Sequence, residues 1–352
     1  MFENQSSAKI SMKQYLYLLF AFFLLNCSDQ DNQEAAEFFE RGVYHFKKNE
    51  LDVAHRFFTE AIGKQPNLAD AYNNIGLIDE IRGKDEKALE AFEKAISIDP
   101  EFQQAIFNQG RVLSHLGQNQ AALASFENVS QIYKDSAEFY VARGFVYMNV
   151  NNTGAAIIDF KRAISLKPEN SQAFTNLGYS YIEERNYPLA QESLIRAIEI
   201  NPDGAAAHNN LAFLYGIIDK QLSKPIYHAE IAVRLEPTNN LYRNNYAYSL
   251  LINNELAKAE RELDIVSKNL AENSYYLRNK GLLNYLKGDY AAAKGLLTQA
   301  ETKDPGTVLI YYYLGLNEKA MGNPNEAKAY FTTGATLEDS RSQAELRNLG
   351  IH

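Results

Sequence analysis

Tryptophan is absent from this chain and cysteine occurs once. A single thiol, Cys27, excludes an intramolecular disulfide and any metal site built from several thiolates. Positive charge is also short: the net charge is -9 and the pI is near 5.3, with no window basic enough to make a positive stripe. Phosphate backbones are repelled by such a chain, so nucleic acid is excluded as a partner. No apolar run is long enough to span a bilayer. The one run that stands out, Tyr15 to Leu25, has eleven residues, about half of the roughly 20 that a membrane-crossing helix needs. The six histidines, His45, His55, His115, His208, His228 and His352, show neither metal-ligand spacing nor an HExxH arrangement, and each is expected to be solvated or half-packed. Glycine-rich phosphate loops and GxSxG are missing too. The expectation is a protein without catalytic residues, metal, cofactor or small-molecule substrate.

What is present is a period. Glycine recurs every 34 residues at Gly42, Gly76, Gly110, Gly144 and Gly178, then, after Ala212 and Ala247, at Gly281 and Gly315. With each glycine at position 8, the frame gives nine units: 35–68, 69–102, 103–136, 137–170, 171–204, 205–239, 240–273, 274–307 and 308–341. Position 20 is alanine in eight of them: Ala54, Ala88, Ala122, Ala156, Ala190, Ala259, Ala293 and Ala327. Position 24 is large and apolar in the same eight, as Phe58, Phe92, Phe126, Phe160, Leu194, Leu263, Leu297 and Phe331. Proline closes six units, at Pro66, Pro100, Pro168, Pro202, Pro237 and Pro305.

These positions describe a helical hairpin. Small residues at 8 and 20 let two helices approach, and bulky residues at 4, 7, 11 and 24 fill the gaps around the contact. Both halves of each unit carry helical apolar spacing, and polar turns such as Arg82–Glu86 separate them. Proline then stops the second helix. The pattern resembles the tetratricopeptide repeat, and unit 69–102, ADAYNNIGLIDEIRGKDEKALEAFEKAISIDPEF, follows it almost position by position. The resemblance implies an all-α fold, a right-handed superhelical solenoid of about nine helix-turn-helix repeats, and leaves no room in 35–341 for a fused catalytic domain. The sixth unit is irregular: it has one extra residue, and Pro225 stands where alanine is expected, a local drift or hinge that a first helical turn tolerates.

Ahead of the repeats, MKQYLYLLFAFFLLNC, beginning at Met12, resembles a bacterial lipoprotein signal, with Leu24 three residues before Cys27 and Asn26 where a small residue is usual. The resemblance implies a signal peptide over 1–26 with its true start at Met12, a lipid on Cys27, and a tether over 27–34. Ser28 after the cysteine, where aspartate would mean inner-membrane retention in enteric lipoproteins, implies an outer-membrane lipoprotein facing the periplasm. Residues 342–352 are left as a C-terminal tail.

Inward positions of the first helix should carry any partner-binding chemistry. Position 6 is asparagine in six units: Asn74, Asn108, Asn176, Asn210, Asn245 and Asn279. A carboxamide can both donate to and accept from an extended peptide backbone. The series resembles the asparagine ladder in the repeat domain of O-linked N-acetylglucosamine transferases; equally, it reads as a set of local bridges between neighbouring helices. Position 9 is aromatic in Phe145, Tyr179, Phe213 and Tyr248, either as groove anchors or as packing against the next helix. Arg111 and Arg278 are the basic residues at inward positions 5 or 9, too scattered for a clamp on a chaperone's C-terminal carboxylate.

A lipoprotein signal followed by such repeats is the layout of type IV pilotins, of tight-adherence pilus lipoproteins and of adaptors that gather peptidoglycan enzymes. It implies a scaffold that binds proteins or extended peptides, is held to the membrane by a lipid anchor, and assists pilus or secretion-machine assembly. The alternatives are an adaptor for peptidoglycan synthases or hydrolases, or a regulatory subunit of an envelope enzyme.

Overall fold

The computed structural model describes residues 12–218 and 223–349, with side chains from Gln30 onward. The segment before Met12 and the side chain of Cys27 therefore lie outside what is described. Among the described residues there are nineteen helices and no strand, and no helix is long and apolar enough to cross a membrane.

Two compact units divide between Asn152 and Thr153. The first contains α1 (Met12–Lys47), α2 (Leu51–Lys64), α3 (Ala69–Ile81), α4 (Asp85–Ile98), α5 (Gln103–His115), α6 (Asn119–Val129) and α7 (Ala137–Asn149). The second contains α8 (Thr153–Leu166), α9 (Ser171–Glu183), α10 (Tyr187–Ile200), α11 (Ala205–Ile218), α12 (Ser223–Leu235), α13 (Asn240–Ile252), α14 (Leu256–Leu270), α15 (Ser274–Leu286), α16 (Tyr290–Lys303), α17 (Ile310–Ala320), α18 (Pro324–Thr336) and α19 (Ser340–Asn348). Within each unit, successive helices pack as antiparallel hairpins stacked on their neighbours, the architecture of a tetratricopeptide solenoid.

The 34-residue glycine has a direct steric cause. A Cβ added at Gly42, Gly76 or Gly110 would stand 2.6, 2.6 and 2.9 Å from the rings of Phe58, Phe92 and Phe126, each sixteen residues on at position 24. The same conflict arises at Gly178 with Leu194, at Gly281 with Leu297 and at Gly315 with Phe331. Each large side chain is fully buried over its glycine. Position 15, in the turn between the helices of a hairpin, is a second periodic site: Asn49, Gly83, Gly117, Asn151, Arg185, Asn254, Gly288 and Gly322 all have positive φ. Glycine and asparagine adopt that conformation readily, which explains seven of the eight.

Helix ends follow from proline in a specific way. Gln65, Asp99, Asn201 and Asp304 each precede a proline and are extended, with ψ of 90, 95, 93 and 100°. The proline ring excludes its predecessor from the α region, so the helix stops before the proline itself is reached. Pro225 falls in the first turn of α12, where it removes no helical hydrogen bond.

Two segments outside the repeat frame are also helical. From Asp31 onward the stretch read as a tether is part of α1, tied to α2 by ion pairs from Lys64 to Asp31 and Glu34 at 3.3 and 2.5 Å. The presumed tail forms most of α19, whose N-terminus is capped by Asp339 and whose Ser342 is buried against Gly334.

Candidate functional site

The six asparagines at position 6 divide into two groups. Asn108 donates through Nδ2 to Asn73 Oδ1 at 2.9 Å, Asn245 to Asn209 Oδ1 at 2.9 Å, and Asn279 to both the carbonyl and Oδ1 of Asn244 at 3.0 Å. Each acceptor sits at position 5 of the preceding repeat, so the pair bridges consecutive first helices. The other three follow repeats with Phe39, Val141 or Thr175 at that position, none of which carries an amide. Asn74 donates to Asp70 O in its own helix, Asn210 accepts from Asn209 Nδ2, and both are half-buried, as is Asn176. Asn108 and Asn279 are interior residues, which corrects their expected place on an open groove. Doubled asparagines at 73–74, 209–210 and 244–245 were the sequence signal for bridging.

Position 9 divides in the same manner. Phe145 in the first unit and Tyr179 in the second expose 47% and 41% of their surface, a large fraction for aromatic side chains. Phe213 is half-buried with its ring edge-on to Tyr275 at 6.0 Å. Tyr248 is interior and cannot serve as a groove anchor. Its hydroxyl lies 3.1 Å from that of Tyr313 and 3.4 Å from the Gly216 carbonyl.

Around Tyr248 the second unit fills its own inner side. Arg278 is 0% exposed. Its Nε and Nη2 donate to Asn279 Oδ1, its Nη1 donates to Val308 O at 2.8 Å, and its guanidinium lies 4.4 and 5.1 Å from the ring centres of Tyr248 and Tyr275. An amide, a carbonyl and two rings thus hold this charge, an arrangement that suits the planar, weakly hydrated guanidinium better than an ammonium. Arg341, at the start of α19, donates to Gly216 O at 2.7 Å and Ile217 O at 3.3 Å, so the last helix is fastened to the end of α11, 125 residues earlier.

The irregular sixth repeat contains a histidine pair. His208 Nε2 lies 3.0 Å from Pro202 O, and since a carbonyl only accepts, that nitrogen carries the proton. His208 Nδ1 is then free to accept from His228 Nδ1 at 2.9 Å. Burial, with His208 and Lys224 adding to it, pushes His228 down to about 4; burial also lowers His208. His208 is therefore buried and partnered, where the histidines were expected to be solvated or half-packed. Among the described residues no three His, Cys, Asp or Glu side chains gather as a metal-binding group.

The second unit also holds a solvent-open cavity of about 160 Å3, reached by α9, the start of α10, the segment before α17 and the turn between α18 and α19. Its lining includes Glu183, Arg185, Tyr187, Tyr275, Leu309 and Glu338. Nothing in the repeat pattern pointed to it, because it forms between positions that vary from unit to unit.

Tetratricopeptide-repeat family models match residues 69–102, 91–124, 137–170 and 171–203, so the chain carries tetratricopeptide repeats. No curated protein sequence matches the chain. Among solved structures, a chain of the APC/C hetero-tetramer Cut9–Hcn1 is similar at 15% identity with a TM-score of 0.61, over 88% of this chain and 62% of that one. PilW, a type IV pilus biogenesis factor, is similar at 18% identity and a TM-score of 0.44, over 60% of this chain and 98% of its own. YrrB, a repeat protein with a peptide-binding site, is similar at 21% identity and a TM-score of 0.40, over 53% and 95%. At these identities the likeness concerns the fold.

Proposed function

We infer that the protein is a non-enzymatic scaffold that holds partner proteins or extended peptide segments on its repeats. The observation that carries this reading is the exposure of Phe145 and Tyr179 at the inward position 9, where Phe213 is half-buried and Tyr248 is interior. Tyr179, exposed on the same helix as the half-buried, unbridged Asn176, pairs an aromatic anchor with an amide handle, which suits recognition of an extended chain. The work done is proximity and alignment, with no bond made or broken.

The lipoprotein-type signal ending at Cys27 supports a lipid anchor and a place on the periplasmic face of an outer membrane. Pilus or secretion-machine assembly is the first reading of that layout, and an adaptor for peptidoglycan enzymes the second. Affinity capture of the acylated protein from its native membranes tests both. Recovery of a secretin or an assembly ATPase supports the first, wall synthases or hydrolases the second, and recovery of neither sinks both. In the same preparation, Cys27→Ala should abolish acylation and release the protein from membranes; continued attachment would refute the anchor.

A further inference from the structure

The cavity in the second unit has a chemistry of its own. Its floor is formed by the buried residues Ile182, Thr307, Leu309, Ile310 and Gly334, and the half-buried rings of Tyr187 and Tyr275 stand beside it. The mouth carries exposed Glu183, Arg185 and Glu338 with half-buried Asp339. Three carboxylates against one guanidinium leave it acidic. These four charges surround a single phenol: burial raises the Tyr187 hydroxyl above its ordinary value, Asp339, Glu338 and Glu183 add to the shift, and Arg185 opposes it. Asp339 already accepts from the backbone of Arg341 and Ser342, and Glu183 from the Tyr179 hydroxyl.

Backbone strain gathers at the same place. Six non-glycine residues among those described have positive φ, and three are asparagines. The other three, Arg185 at 58°, Leu309 at 64° and Glu338 at 60°, all line this cavity. Arg185 shares the turn position that has positive φ in seven other repeats, whereas Leu309 and Glu338 lie off it and are held against their preference at this cavity alone among the described residues.

A volume near that of a cavity able to hold benzene, about 150 Å3, admits one side chain and not a peptide. An apolar floor, aromatic walls and an acidic rim match a group with an aliphatic stem and a cationic head. An anionic group would meet the rim carboxylates, and a plain aliphatic one would desolvate them without compensation. We propose that this cavity receives a lysine or arginine side chain from an extended segment of a partner protein. The proposal rests on the scaffold reading and adds to it the charge of the residue recognised.

The test titrates the full-length protein with Gly-Ser dodecapeptides bearing one central arginine, lysine, citrulline, norleucine or glutamate, and with free argininamide. Arginine and lysine peptides should bind saturably at millimolar concentration or below, at least ten-fold more tightly than the other three. The Glu183→Gln/Glu338→Gln double variant should lose that preference with its melting temperature unchanged. Equal binding of the citrulline peptide, no saturable binding of the arginine peptide, or an unaffected double variant would overturn the proposal. Argininamide binding as tightly as the peptide would overturn the assignment to a protein segment. If the wild type still recovers its membrane partners while the peptides fail, this inference falls alone; if no partner is recovered, the scaffold reading falls with it.

Discussion

The two units use the same hairpin and fill its inner side differently. In the first, Phe58, Phe92 and Phe126 cover glycines, Phe107, Tyr133 and Phe139 extend an aromatic core, and Phe145 is left exposed. In the second, Leu194 and Leu297 take the place over glycine in two repeats, while Tyr248, Arg278 and Tyr313 occupy the interior and Arg341 fastens α19 to α11. The hairpin is set by positions 8, 20 and 24. Whether an inward position meets a partner or the protein itself is set by positions 5, 6 and 9, which the period does not constrain.

Arg278→Ala should break the contrast most severely. It removes a fully buried side chain and leaves Val308 O and Asn279 Oδ1 without their donor, so a loss of about 4 kcal/mol is expected in denaturant unfolding. A loss near zero would mean that the second unit's interior is not filled as described. Gly76→Ala comes next, at roughly 2 kcal/mol, because the new methyl meets the Phe92 ring at 2.6 Å. Gly295→Ala, in α16 with open space around it, should instead stabilise by up to about 1 kcal/mol. Similar values for the two glycines would refute the steric reading of the period.

Acidification should act on the second unit through the histidine pair. Below its ordinary value of about 6.5 an unfolded histidine binds a proton, whereas folded His228 does so only near pH 4. The unfolded state therefore holds more protons in that window. The stabilisation is complete above pH 6.5 and is lost as pH falls toward 4, by roughly 2 kcal/mol. Chemical unfolding at pH 7 and pH 4.5, compared with His228→Phe, checks this: the variant should lose that part of the pH dependence.

The fold was legible because hairpin packing demands the same small and large residues at fixed spacing, and Gly76 and Phe92 state that demand openly. The candidate site was legible only in part. Asn74, Asn176 and Asn210 cannot be told from Asn108, Asn245 and Asn279 by their own position; the difference lies one repeat earlier, at position 5. Tyr248 obeyed the aromatic pattern yet became interior, because Arg278 and Tyr313 supply the partners a buried hydroxyl needs. The cavity at Glu183 and Glu338 depends on the α19 return, which a linear period does not encode.

The central claim is that exposed inward aromatics bind partners and do not hold the fold. Phe145→Ala and Tyr179→Ala, made singly, should each leave the melting temperature within a few degrees of wild type and sharply reduce recovery of membrane partners in affinity capture. Undiminished recovery from both variants, or a large fall in melting temperature, would contradict it.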